Sequence, residues 1–297
     1  MIGRDWINRA RLYLLAGQVE ERNKLAVDYS SGSGTLTFSM PMKSIQAGVR
    51  LSCGLNTFYV WEVHNQTATV TGGEDGGADT PLSSGDIVRV RPRWSDYEIW
   101  TAIIEDLAEL SAPTNGLFQM KTTTFNYSQA IDGYDLAGVT NILAIDSLRM
   151  DDGAHSKLWT TMGPGRWQLL RDADPTDFPS GLGLVLYDPP LNGAAVRVTY
   201  RAPFDPPYLE DPQYDVTSTG LPATANDLPP MGAVVRLVAS REIRRNQTET
   251  QPETRRATEV GPGAIAASYR GIAALRATRI FQEAARLKAA YPIIKDN

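Results

Sequence analysis

The stretch from Gly261 to Asn297 carries the clearest pattern in the chain. Pro262 suits the first turn of a helix, and Pro292 ends one. Between the two prolines, apolar residues recur at gaps of three and four: Ala266, Tyr269, Ala273, Ala277, Ile280, Ala284, Leu287 and Tyr291. The pattern predicts a helix of about 28 residues, roughly 40 Å long. A helix of this length exceeds what a small globular core requires.

The predicted helix has a charged opposite face, formed by Arg276, Arg279, Glu283 and Arg286. Arg279 and Glu283 are four residues apart, which is the spacing of an intrahelical ion pair. Two interpretations stay open. The helix either covers the surface of a monomer, or packs against neighbouring subunits as well as its own domain.

Length and composition indicate a soluble globular protein. The 297 residues allow one large domain or two to three small ones, with 42% apolar and 21% charged residues. No apolar run approaches the roughly 20 residues of a membrane span, and the N-terminus lacks the core of a signal peptide. Cys53 is the single cysteine, so we expect no disulfide framework and synthesis in a reducing cytoplasm.

Charge is unevenly distributed along the chain. Ala233 to Asn297 holds 12 of the 29 basic and 6 of the 34 acidic residues, so the remainder is strongly acidic. This asymmetry indicates either a basic surface facing an acidic partner or only the solvated sides of helices.

The first third predicts two helices, a small β unit and a third helix. Residues 5–16 read as a helix and 18–28 as a second one. Ser95 and Glu98 have capping-box spacing, ahead of a buried stripe formed by Ile99, Ile103, Leu107 and Leu110. The five strands predicted between the helices lie at 35–40, 48–52, 57–63, 68–71 and 87–91.

Residues 117–204 predict a separate β domain, a sandwich or jelly roll. Its candidate strands lie at 117–127, 139–149, 166–171, 183–187 and 195–200. Residues 205–230 read as a linker, and 231–245 as a further helix.

The expected fold class is α+β, with a helical body that carries two β insertions. Residues 1–30, 95–111, 231–246 and 262–291 would form the body, into which a small β unit and an antiparallel, jelly-roll-like β-sandwich are inserted. The expected domain division is 1–116, 117–204, a linker at 205–230, and 231–297.

The sequence predicts no enzyme, no cofactor and no metal site. His64 and His155 are the only histidines, and no catalytic or nucleotide-binding motif occurs. The acids Asp151, Asp152, Asp172, Asp174 and Asp177 are more typical of turns than of a calcium site or a glycosidase pair.

Two binding functions have weaker support. Trp159, Trp167 and Tyr187 lie in the predicted sandwich, where aromatics either stack on sugars or fill the core. The basic C-terminal part has no interleaved aromatics, and Arg255-Arg256 sits in a polar loop, so only a non-specific electrostatic contact with passing DNA is expected.

Two stretches resemble a known family. IQAGVRLSCGLNTFYVWEV, followed by GGEDGGADTPLSSGDIVRVRPRWSDYEIWTAIIEDLAEL, and the ending EVGPGAIAASYRGIAALRATRIFQEAARLKAAYP resemble the head-to-tail connector (adaptor, or neck) proteins of long-tailed phages of actinobacteria. The resemblance implies a structural virion protein, forming a ring beneath the portal, often of twelve subunits, through which DNA passes. Adaptors of this kind are typically compact helical bundles, and the β domain at 117–204 departs from that pattern.

The expected function is therefore a phage neck protein that joins portal to tail. It would be made in the host cytoplasm and assembled into the virion neck, with the portal protein, further neck or tail proteins and copies of itself as partners, and no membrane. The expected contact residues are Tyr269, Arg276, Arg279, Ile280, Arg286, Leu287, Tyr291, Ile293 and Ile294. Two alternatives are a tail or baseplate component whose sandwich binds host carbohydrate, and a glycoside hydrolase using the sandwich acids.

The apolar pair Ile293 and Ile294, beyond the helix stop, is expected to dock on the portal or a neighbouring subunit. Deleting residues 292–297 should weaken binding to portal rings in a co-sedimentation assay. Unchanged binding would show that the segment is only a frayed terminus.

Overall fold

The computed structural model describes residues 1–15, 18–136, 139, 141–151, 159–187, 190–208, 213–248 and 264–292, without the side chains at 164, 240–248 and 264–268. The chain divides into two compact units. The first comprises Met1–Glu109 and Asp205–Ile280, and the second Leu110–Phe204 and Phe281–Asn297.

The first unit contains six strands and most of the helical residues. The helices are α1 (Gly3–Leu15), α2 (Asp96–Leu110), α3 (Leu228–Thr248) and α4 (Ala264–Ala290), the last continuing into the second unit. The strands are β1 (Arg22–Lys24), β2 (Thr35–Thr37), β3 (Arg50–Cys53), β4 (Asn56–His64), β5 (Thr67–Gly72) and β6 (Ile87–Val90).

The six strands form one antiparallel sheet in the order β1-β6-β3-β4-β5-β2, curled into a half-barrel. Its two edges meet where Leu25, just after β1, pairs with Phe38, just after β2. Ala26 N–H donates to the Thr37 carbonyl at 2.8 Å, and Ser39 N–H to the Lys24 carbonyl at 2.9 Å. The curled sheet encloses its own core, which includes Leu25, Tyr29, Leu36, Phe38, Leu51, Phe58, Val60, Val70, Val88 and Val90.

Asn65 adopts a φ of 54° in the two-residue turn between β4 and β5, a conformation that asparagine tolerates. The two local features predicted for α2, its capping box and its buried stripe, are confirmed. At the start of α2, Glu98 N–H donates to Ser95 Oγ at 3.0 Å and Ser95 N–H to Glu98 Oε2 at 2.7 Å, which is the predicted capping box. The predicted stripe of Ile99, Ile103, Leu107 and Leu110 is fully buried.

The second unit holds two antiparallel sheets. Its strands are β7 (Gln119–Asn126), β8 (Tyr134–Asp135), β9 (Ala144–Asp151), β10 (Trp159–Met162), β11 (Trp167–Arg171), β12 (Leu182–Leu186) and β13 (Ala195–Ala202). One sheet has the order β10-β9-β13-β7 and the other β11-β12-β8. Both contribute to one core, with Leu148, Val196 and Val198 from the first sheet and Tyr134 and Leu184 from the second.

The expected helical body is wrong. The described residues form thirteen strands in three sheets, with four α-helices, and the chain is roughly 30% helical. The β part is therefore not an insertion into a helical adaptor. The division into 1–116, 117–204, 205–230 and 231–297 stays a prediction.

The clearest local error is the second helix predicted over 18–28. Asn23 and Leu25 are buried while Lys24 is exposed, which is the period of a strand. β1 pairs with β6, and Leu25 and Tyr29 make further bridges across the sheet. Pairing with distant strands overrode the local helix propensity of this segment.

Of the four helices, taken over the described residues, none is both long and apolar enough to cross a bilayer.

Replacing Ser95 by Ala should lower the free energy of unfolding by about 1 kcal/mol, because the side-chain acceptor for the Glu98 N–H is lost. Urea unfolding followed by circular dichroism measures the change. Ser30→Ala, at an exposed loop position, is the control and should behave as wild type. Equal stability of the two variants would show that the capping box contributes nothing.

Candidate functional site

The expected contact helix forms, as α4, but two of its arginines bind acids of the first unit. Arg276 Nη2 lies 2.6 Å from Asp106 Oδ1 of α2. Arg279 contacts both carboxylate oxygens of Asp227, at 2.9 Å and 3.2 Å, and donates to the Thr224 carbonyl at 2.7 Å. Both guanidinium groups therefore hold α4 against its own unit.

The apolar side of α4 is confirmed in part. Ile280, Ala284 and Leu287 are buried, and Tyr269 is half-buried, whereas Ala277 is exposed. Glu283, expected on the opposite face, is only 5% exposed and lies 3.3 Å from Arg286 Nε. The buried side of α4 is thus partly ionic.

The remaining expected contact residues lie towards the end of the helix. The Arg286 side chain is half-exposed, and Tyr291 is 40% exposed. The Tyr291 ring lies 6.2 Å from that of Phe118, and its carbonyl accepts from Arg201 at 3.4 Å. Ile293 and Ile294 lie outside the described residues. A contact role for all nine residues stays a prediction.

The outward side of α4 in the second unit carries a residue that sequence reasoning missed. Phe281 is 74% exposed, and Ala285 and Lys288 follow it at gaps of four and three on the same exposed side. Ala284 and Leu287, at neighbouring positions around the helix, are buried. The signal was present in the sequence, because Phe281 falls outside the apolar stripe that Ile280 belongs to.

A second feature of the helices is the buried carboxylate of Asp106, 1% exposed. Arg276 and Arg236 both approach Oδ1, at 2.6 Å and 3.8 Å. Gly232 of α3 leaves room for the Asp106 carboxylate, because a Cβ at position 232 would lie 1.8 Å from Asp106 Oδ1. Arg236 also pairs with Glu105, at 3.2 Å, and with Glu109.

Burial raises the pKa of Asp106 to about 7, against the opposing effect of Arg276 and Arg236 and with a further rise from Glu109. Desolvation of the charged form therefore outweighs the attraction of the two guanidinium groups. The Asp106 carboxylate therefore joins α2, α3 and α4.

The other end of α2 meets a second buried ionic cluster. Arg11 of α1 contacts Glu20, at 2.5 Å, and Asp96, while Arg89 of β6 contacts Asp96 at 2.8 Å and Glu20 at 3.5 Å. The two acids and two arginines balance in charge. Together they fix α1 and α2 against the curled sheet.

A cavity of about 450 Å³ lies beside this cluster, lined by residues that include Arg4, Ile7, Arg22, Cys53 and Leu82. Burial, with smaller contributions from Asp86 and Asp96, raises the pKa of the Cys53 thiol to about 12. The thiol is protonated at neutral pH and is not an activated nucleophile.

The candidate acid–base residues are dispersed. His64 is exposed and lies 2.9 Å from Glu62, while His155 and Asp152 lie outside the described residues. Asp174 accepts a hydrogen bond from the Thr176 N–H at 2.9 Å within a turn. Hydrogen bonds from the backbone and side chain of Thr176 lower the pKa of Asp174. Among the residues that the structure describes, no group of three or more His, Cys, Asp or Glu could hold a metal ion.

The three aromatic residues of the expected sugar site have different surroundings. Trp167 packs against the core of the second unit. Arg197 lies over the Trp159 ring, 4.0 Å from its centroid. Tyr187 is 59% exposed, and its hydroxyl donates to Gln168.

No family model matches the chain, and no curated protein matches its sequence.

Asp106 should make stability depend on pH. The pKa of Asp106 is about 7 in the folded state and near 4 in the unfolded state. Between about pH 4 and pH 7 the folded state therefore binds a proton that the unfolded state has released. Stability should therefore fall as pH rises from about 4 to about 7, by up to about 4 kcal/mol. Asp106→Asn removes this slope, which urea unfolding at a series of pH values measures.

Asp174→Asn is the control for this measurement. The pKa of Asp174 is lowered, so its contribution changes only in strong acid, and this variant should parallel wild type between pH 5 and pH 8. If the wild-type and Asp106→Asn curves are parallel over that range, the pKa of Asp106 is not raised.

Proposed function

We propose that this chain is a structural protein of a phage neck, which joins the portal to the tail and binds its neighbours through the outward side of α4. The proposal combines two independent supports. One is the resemblance of the two quoted stretches to head-to-tail connector proteins. The other, which carries the argument, is the exposure of Phe281 on a helix that buries Ile280, Ala284 and Leu287.

Phe281 has the properties of an interface anchor. An aromatic ring that is 74% exposed leaves apolar surface in water, and covering that surface stabilises a complex. The backbone of a regular helix and the two side-chain torsions of phenylalanine limit the entropy lost on binding. Ala285, one turn further on, is small and allows a partner to approach the ring closely.

Charge is consistent with contacts between different surfaces of the same chain. Lys288 lies beside Phe281 and is exposed, and Arg286 is half-exposed on the same part of α4. The chain before Ala233 is strongly acidic. A basic helix on one subunit and an acidic surface on the next would form the head-to-tail contact that a closed ring requires.

This proposal does not use the architecture of a helical adaptor, which is wrong for this chain. It uses the resemblance of the two stretches and the surface of α4. In the proposed ring, with twelve subunits as the resemblance implies, the neighbours of α4 are a second copy and the portal protein, and DNA passes non-specifically through the channel.

The decisive measurement is mass by light scattering, for the protein alone and mixed with portal rings of the same phage. Wild type should form a ring, or join the portal in several copies. Phe281→Asp should weaken this association by about tenfold or more, because truncating an anchor costs upwards of 1.4 kcal/mol.

Leu191→Asp is the matched control, because Leu191 is equally exposed, at 75%, but lies outside α4. This variant should assemble as wild type. A wild-type monomer that ignores the portal would overturn the neck proposal. Assembly of Phe281→Asp at wild-type strength would overturn the role of α4.

A further inference from the structure

The outer face of the curled sheet carries an exposed tryptophan at a β-bulge. The register between β4 and β5 shifts between Val60 and Glu62, so Trp61 is an extra residue opposite β5. Val60 points into the core, while Trp61 and Glu62 both face outward. The indole is 58% exposed as a result.

The indole is held in a fixed orientation. Trp61 Nε1 donates to Thr71 Oγ1 of β5 at 2.7 Å. The Tyr59 ring lies at 67° to the indole, with the ring centroids 4.6 Å apart. Because the N–H already has its partner, the indole offers a ligand mainly its apolar ring, and little side-chain freedom is lost on binding.

Polar side chains surround this aromatic pair. Arg50, opposite Tyr59 on β3, forms an exposed ion pair with Asp75 at 2.7 Å. Glu62 and His64 form a second exposed pair on β4. On β5, Thr69 and Thr71 are exposed and add hydroxyl groups. The face therefore presents one flat apolar ring among side chains that donate and accept hydrogen bonds.

The chemistry of this face discriminates between classes of ligand. A protein interface has a core of several apolar and aromatic side chains inside a polar rim, whereas here one indole with its Tyr59 partner stands among charged pairs. Single-stranded nucleic acid needs a positive groove, but Arg50 is balanced by Asp75 and Glu62 is acidic. A neutral carbohydrate suits both the apolar ring and the polar side chains around it. Its C–H face stacks on an aromatic ring, and its hydroxyl groups form hydrogen bonds with charged and hydroxyl side chains.

We infer that the Trp61 face of the curled sheet binds a neutral carbohydrate. Trp61 supplies the stacking surface, oriented by Thr71, and Arg50, Asp75 and Glu62 bond with hydroxyl groups at its rim. This site lies in the first unit, not at the sandwich aromatics, and it does not depend on the neck proposal.

Native gel electrophoresis in gels that contain a single polysaccharide tests this inference. The panel comprises neutral polymers (dextran, a β-glucan, a mannan, a galactan and a xylan) and the polyanion dextran sulfate. At least one neutral polymer should retard the full chain. Trp61→Ala should weaken that retardation by about tenfold or more, the size of a lost aromatic stack.

Two variants make the result specific. Trp159→Ala removes an aromatic from the second unit and should bind as wild type. Trp61→Phe keeps an aromatic ring and should bind more tightly than Trp61→Ala. Circular dichroism establishes that each variant is folded.

Three outcomes would overturn the inference: retardation by dextran sulfate alone, retardation by no polymer of the panel, or equal binding by Trp61→Ala and wild type. Loss of binding in Trp159→Ala but not in Trp61→Ala would place the site in the second unit instead.

Discussion

The meeting of the two sheet edges at Leu25 and Phe38 is the contact on which the first unit depends. An open six-stranded sheet would leave two rows of unpaired backbone groups, and the bridge between these residues joins them. The same bridge turns Leu25 and Phe38 inward, where they share a core with Phe58 and Val60. One face of the sheet forms the interior, so ligands can reach only side chains on the other face. The bulge at Trp61 places an aromatic ring on that outer face.

The helices are positioned by buried ionic contacts. Arg11 and Arg89 share Glu20 and Asp96, and Arg276 shares Asp106 with Arg236. Removing one partner from such a cluster leaves an uncompensated charge away from water, which costs more than the pair itself contributes. Ion pairs need a defined geometry, whereas apolar packing is not directional. These pairs therefore fix the positions of α1, α2 and α4 along the elements that they contact. This arrangement leaves the outward side of α4 without a structural task inside its own unit.

The two proposed surfaces belong to different units and differ in kind. Phe281 is an apolar side chain beside a small one and a cation, which suits a protein neighbour. Trp61 is an aromatic side chain among hydroxyl groups and ion pairs, which suits a polar ligand with an apolar face. A protein of an assembled particle can use both surfaces, the Phe281 surface to bind neighbouring subunits and the Trp61 surface to bind a ligand outside the particle. That division of roles rests on side-chain chemistry and not on the helical-bundle architecture that the sequence led us to expect.

By itself the sequence determined the features whose partners lie within a few residues. The Ser95–Glu98 capping box, the Asn65 turn and the long helix between Pro262 and Pro292 each rest on local bonds or on a repeating pattern, and each is present in the structure. Only the tertiary structure decided the conformation of residues 18–28, which contain the strand β1 (Arg22–Lys24) because β6 pairs with it and Phe38 pairs with Leu25. It also decided that Arg276 binds Asp106, 170 positions away. The physical reason is the same in both cases: the free energy of strand pairing and of buried ion pairs depends on partners distant in the chain, which no local pattern records.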